Sequence, residues 1–214
     1  MYDYARHLAM EFLKGDHFTS WSLIQQQIDD GMSSYFIFDY VLRDAMFYIG
    51  HMWENNEIGV ADEHLATSIC DYVLTRYNFD RHPLTNREKR AMFFCVEGEE
   101  HYLGAKMASS LFQEAGWDVK YLGPNLPLEY ALFNAKKWRP DVIGLSITLP
   151  LHLPKLKDYV YSLEHLPHRP KVIVGSRLIE KYDFTPFISN QTVLAKEVTD
   201  IEPFIEQYLM KVIE

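Results

Sequence analysis

Hydrophobic positions along this chain follow one rule up to about residue 79 and another from about residue 90. In the first stretch they recur with helical period. Tyr4, His7, Leu8, Phe12 and Leu13 form one stripe that ends near Gly15-Asp16. Thr19-Ser20 offers a cap for a second helix through Trp21, Leu23, Ile24 and Ile28, closed by Asp30-Gly31. A third helix, from about Ser34 to Trp53, is apolar on several faces, which predicts central burial. Asn55-Asn56-Glu57-Ile58-Gly59 breaks the pattern. A fourth helix starts near Val60 and carries Asp62 and Glu63 in its first turn, where the helix dipole favours acidic residues. Short connections then predict an antiparallel four-helix bundle over residues 1–79.

Residues 80–89 are polar, include Pro83 and read as a linker. From 90 to 214 short apolar runs alternate with helical stretches. Strands are expected over 91–96, 119–122, 142–147, 171–174 and 192–194, with helices over about 104–115, 128–137 and 201–212. Runs that are apolar on both faces and alternate with helices imply a doubly wound parallel sheet. The expected fold class is therefore α/β, a four-helix bundle followed by a flavodoxin- or Rossmann-like domain.

Composition narrows the partners. Hydrophobic residues make up 48% of the 214 and charged residues 24%, enough for a conventional core. Thirty acidic residues against 21 basic ones leave a net charge of -9, which argues against holding a polyanion directly. The one dense basic stretch, Arg87-Glu88-Lys89-Arg90, is short and reads as solvated linker. Cys70 and Cys95 lie in apolar surroundings without paired spacing and read as reduced core residues. No apolar run is long enough to span a membrane, and Met1-Tyr2-Asp3-Tyr4 lacks the order of a signal peptide. A cytoplasmic protein is expected.

Three small pieces of sequence carry the chemistry. Glu99-Glu100-His101-Tyr102-Leu103-Gly104 is followed after 41 residues by Ser146-Ile147-Thr148, and after 26 more by Gly175-Ser176. Each falls at the carboxyl end of an expected strand. In a doubly wound sheet that is the ligand-binding rim, so residues far apart in sequence would meet there. These pieces resemble the cobalamin-binding pattern Asp-x-His-x-x-Gly … Ser-x-Leu/Thr … Gly-Gly.

The resemblance implies a corrinoid cofactor, with the nucleotide tail displaced from cobalt by a protein histidine. His101 would be the lower cobalt ligand, offered as neutral imidazole. Glu99, where the family more often has Asp, would accept the hydrogen bond from the other ring nitrogen. Gly104 would allow close approach of the backbone, Ser146 and Thr148 would offer hydroxyls to the tail, and Gly175 would leave space beside it. Ser176 departs from the family's second Gly and narrows the slot.

In the helical half, Trp53 is followed by nine residues and then Glu63-His64. Upstream of a cobalamin-binding half, this spacing resembles the Trp-x9-Glu-His motif of light-responsive cobalamin regulators of the CarH and LitR type. That resemblance implies a bundle capping the upper face of the corrin, with Trp53 over the upper ligand, Val60 packed against it, and Glu63 and His64 bonded to an adenosyl group. Adenosylcobalamin is then the expected form, with methyl- and hydroxocobalamin as alternatives.

The functional expectation is a photoreceptor and regulator, not an enzyme. Light would remove the upper ligand and change assembly or partner binding. Because the chain starts at the bundle and not at a helix-turn-helix domain, output through a protein partner or homo-oligomer is expected rather than through DNA. Glu54 stands where some members of the family place a histidine, so an upper ligand from the protein after illumination is left open, His51 included. The alternative is a corrinoid methyl-carrier protein of a methyltransferase system. Those proteins also join a helical cap to a doubly wound domain, but their motif commonly continues Asp-Ile-Gly-Lys where this chain has Tyr102-Leu103-Gly104-Ala105.

Overall fold

Asp16 separates the first two helices by doing two jobs at once. Helix α1 (Tyr2–Leu13) ends as the backbone turns left-handed at Gly15, and Asp16 then accepts the N–H groups of Phe18 (3.1 Å) and Thr19 (3.0 Å) to start α2 (His17–Asp29). The computed structural model describes residues 2–79, 81 and 88–210. It divides into two compact units, Met1–His82 and Pro83–Glu214. The expected linker falls outside the described residues except at 81, 88 and 89.

In the first unit the third helix is continuous but not uniform. Short α3 (Ser34–Phe36) runs into a π-helical stretch, Ile37–Leu42, and on into α4 (Arg43–Glu54). The wider turn coincides with a buried carboxylate, Asp39, which pairs with Arg43 at 3.1 Å. Helix α5 (Val60–Phe79) completes the bundle, burying Ala66, Cys70, Val73, Leu74 and Tyr77. Its core partners include Leu8, Phe12, Ile24, Phe38, Leu42 and Ile49, all without solvent exposure.

The second unit is built on a five-stranded, wholly parallel sheet. Its strands are β1 (Arg90–Cys95), β2 (Asp118–Tyr121), β3 (Val142–Ser146), β4 (Lys171–Gly175) and β5 (Val193–Ala195), in the order β2-β1-β3-β4-β5. The central strands are buried along nearly their whole length, as a sheet covered on both faces requires. Helices α6 (Leu103–Glu114) and α9 (Glu202–Met210) bracket an aromatic cluster in which Phe112 meets Phe93, Trp117 and Phe204. Helices α7 (Leu128–Trp138) and α8 (Leu153–Glu164) cover the other face through Ala131, Ala135, Leu156, Val160 and Leu163.

Helix α8 is absent from the sequence expectation, although its apolar positions Leu153, Leu156, Val160 and Leu163 keep helical spacing. The order 2-1-3-4-5 puts the reversal between β1 and β3. No helix among the described residues is long and apolar enough to cross a membrane.

Candidate functional site

Strand β1 ends at Cys95, and residues 96–102 lead from it into α6, the neighbouring rim of β3 supplying residues 147–149. Glu99 sits between these two exits with no solvent exposure. Its Oε2 accepts the backbone N–H groups of Thr148 (2.6 Å) and Leu149 (3.2 Å). Its Oε1 accepts the backbone N–H of His101 (3.0 Å) and lies 2.6 Å from Nδ1 of the same residue. One carboxylate therefore ties the β1 loop to the β3 loop across the crevice.

Burial pushes the Glu99 carboxyl up. The hydrogen bonds from His101 and Thr148 outweigh it and hold the group down at about 2. Glu99 is thus an anion, an acceptor only, and the proton of the short bond belongs to Nδ1 of His101. In the neutral imidazole that leaves Nε2 with its lone pair. The His101 side chain is 51% exposed, with its Nδ1 anchored on Glu99. A neutral imidazole fixed in this tautomer is what a transition metal needs from its protein ligand.

The second and third pieces line the same rim. Ser146 ends β3, in register with Cys95 on one side and Gly175 on the other. The Cys95 thiol is pushed up to about 12 by burial and by the charge of Glu99, which keeps it protonated. Thr148 gives its backbone N–H to Glu99, and its buried hydroxyl lies beside the same carboxylate. A Cβ built on Gly175 would touch only the carbonyl oxygens of Leu145 (3.7 Å) and Ala195 (4.0 Å). Ser176 is buried, and its hydroxyl accepts the N–H of Leu178 at 3.1 Å. Gly104 lies in the first turn of α6, where an added Cβ would meet nothing within 4 Å.

The other expected site residues lie in the first unit, around the junction of α4 and α5. Trp53 is 50% exposed in the last turn of α4, and Val60 is 60% exposed at the start of α5. Glu63 accepts from Thr67 at 3.3 Å, and the Nε2 of His64, whose side chain is 76% exposed, stands 4.0 Å from Glu63.

Residues that sequence reasoning passed over hold the loop in place. Gly98 has a left-handed backbone (φ +87°), and a Cβ there would come within 2.8 Å of the His152 ring. Its N–H goes to the side chain of Asn125 (2.8 Å), whose own N–H returns to the Glu99 carbonyl (3.0 Å). The signals were faint: a lone Gly directly before the Glu-x-His core of the motif, and an Asn in the turn Gly123-Pro124-Asn125. Gly98→Ala is expected to lower stability by about 1–3 kcal/mol through backbone strain. Urea unfolding checks this, since an unchanged midpoint would show that the loop relaxes freely.

The site suits a corrinoid on observations of its own: open space at Gly104 and one imidazole anchored through Nδ1. Residues 89–182 match the family model of a B12 binding domain, and residues 4–77 match a second B12 binding domain model. These are cobalamin-binding domains. The cofactor of the chain is a corrinoid.

Dimethylamine corrinoid protein 3 of Methanosarcina mazei is 34% identical over 82 residues, 37% of this chain and 49% of that protein. The HTH-type transcriptional repressor CarH of Myxococcus xanthus is 30% identical over 139 residues, 64% of this chain and 46% of that protein. The cobalamin-binding chain thus spans half or less of the length of these curated relatives. Among solved structures, the monomethylamine corrinoid protein of Methanosarcina barkeri superposes with a TM-score of 0.73 at 17% identity, covering 96% of this chain and 98% of that one. That likeness is one of fold.

These findings correct the light-sensing expectation. The likeness to CarH is distant, whereas dimethylamine corrinoid proteins recur among the relatives with stronger matches. The physical reason lies in what the Trp53 … Glu63-His64 spacing encodes. It sets an aromatic residue and a polar pair at the facing ends of two consecutive helices, a surface that carries no photochemistry of its own.

Proposed function

We propose that the chain is a corrinoid methyl-carrier protein, the cofactor-holding component of a methyltransferase system. The observation that carries this reading is the buried Glu99 anion holding a half-exposed His101 by one nitrogen, in a chain related to dimethylamine corrinoid proteins. The cofactor, when bound, supplies a cobalt centre able to accept a methyl group and pass it on. His101 would hold the cobalt through Nε2. Glu99 holds the proton on Nδ1, fixes the tautomer and makes the imidazole a stronger donor. Gly104, Ser146, Thr148, Gly175 and Ser176 form the wall for the nucleotide tail.

Residues 1–79 are assigned to the upper face. A methyl group makes no hydrogen bonds, so Trp53 and Val60 serve there as an apolar cover that excludes water. Glu63 and His64 are assigned to the rim of that cover. The methyl donor is assigned to the methylated amines, and the partners are the methyltransferases that load and unload the carrier. The chain carries the group between them and is not itself the catalyst.

The test follows label from the donor to this protein. Protein reconstituted with cobalamin, under a strong reductant and in darkness, is mixed with a purified amine methyltransferase and ¹⁴C-labelled mono-, di- or trimethylamine, with methanol and its methyltransferase as comparison. Label should appear on the protein only when both partner and donor are present. Absence of label with every pair overturns the carrier reading.

A further inference from the structure

Three residues on one face of α8 grip the loop that presents His101. The ring of His152, at the cap of the helix, packs against Gly98. One turn on, the Lys155 ammonium reaches the Glu97 carbonyl (3.3 Å) and carboxylate (3.1 Å). One turn further, the buried Tyr159 hydroxyl accepts the N–H of Glu97 (3.1 Å) and donates to the Leu126 carbonyl (2.6 Å). Leu126 belongs to the loop after β2, and its neighbour Asn125 already bonds Gly98 and Glu99. A single hydroxyl therefore links the exit of β1 to the β2 loop, two residues before the carboxylate that orients the histidine.

From this geometry we infer that Tyr159 is a positioning residue for His101: its hydroxyl sets the β1 loop so that Nε2 stays at bonding distance from cobalt. The inference rests on His101 being the lower ligand, as proposed above. The ring of Tyr159 is held separately, packed 6.1 Å from Phe94 in the core, so losing the hydroxyl leaves the ring's packing in place. With one bond gone to each loop, residues 97–98 keep Lys155 and Asn125 as anchors but lose the buried cross-link. The cost then falls on the precision of the loop, not on the fold.

The experiment is electron paramagnetic resonance of the full chain loaded with cobalamin and held in the cobalt(II) state, where an axial histidine nitrogen gives a resolved splitting. Tyr159→Phe is compared with wild type and with Tyr161→Phe, an exposed neighbour on the same helix. Removal of one buried hydrogen-bonding hydroxyl is expected to raise the ratio of histidine-off to histidine-on protein about 3- to 10-fold, with Tyr161→Phe unchanged.

A merely structural contact would lower the unfolding midpoint and leave that ratio alone, which overturns the inference. Should Tyr159→Phe fail to fold, Lys155→Met decides in its place, a rise in the ratio supporting the inference and an unchanged ratio overturning it. Absence of any histidine splitting in wild type overturns the ligand assignment and this inference together. Wild type that shows the splitting but transfers no methyl group overturns only the carrier reading.

Discussion

Replacing His101 by alanine is expected to remove the axial nitrogen and with it the function of the chain. The Cys95 thiol beside it is held protonated and is no competing ligand. The loaded variant should show the absorption and resonance spectra of cobalamin without a histidine ligand. Loss of a partner outside the first coordination sphere typically weakens a metal site about 10- to 100-fold, and loss of the ligand itself should cost at least that much in cofactor retention. Dialysis of the loaded protein, followed by cobalt analysis, measures it. A variant that keeps its cofactor and its histidine splitting would assign the ligand to another residue.

The second large effect belongs to Glu99. Its folded carboxyl is held at about 2 against an ordinary value of 4.5. A depressed carboxylate contributes stability that is present above the ordinary value and is lost as pH falls through the folded one. For cofactor-free protein the window runs from about pH 5 down to about 2, and the shift corresponds to roughly 3 kcal/mol. Glu99→Gln should lack this part of the pH dependence and should be less stable than wild type at pH 7. Its amide N–H₂ would face the Thr148 and Leu149 N–H groups, which need an acceptor. Urea unfolding at pH 7, 4.5 and 3 gives the comparison. Equal losses in variant and wild type on acidification would show that other carboxylates carry the acid sensitivity.

The fold was legible where a rule is local. Apolar runs such as Ala91–Val96 and Val142–Ile147 stand against helical stripes, so a doubly wound α/β class followed from period alone. Helix α8 was equally legible, since Leu153, Leu156, Val160 and Leu163 keep helical spacing. The π-helical turn at Ile37–Leu42 was not legible; it coincides with the burial of Asp39, which only the packed bundle creates. For the site, spacing singled out the side chains and left out what supports them. Gly98, Asn125, His152 and Tyr159 act through backbone groups, which leave little pattern in sequence.

The sequence by itself determined the types of element and the two-part periodicity, because each depends on neighbours within a few positions; the corrinoid followed from the resemblance of the spaced motif. Tertiary structure alone decided the order β2-β1-β3-β4-β5 and the burial of Glu99. The ionisation of that carboxylate, and so the nitrogen His101 presents, is set partly by the N–H of Thr148, 49 residues away. No local pattern encodes a hydrogen bond across that separation. It exists only once the sheet has brought the ends of β1 and β3 side by side.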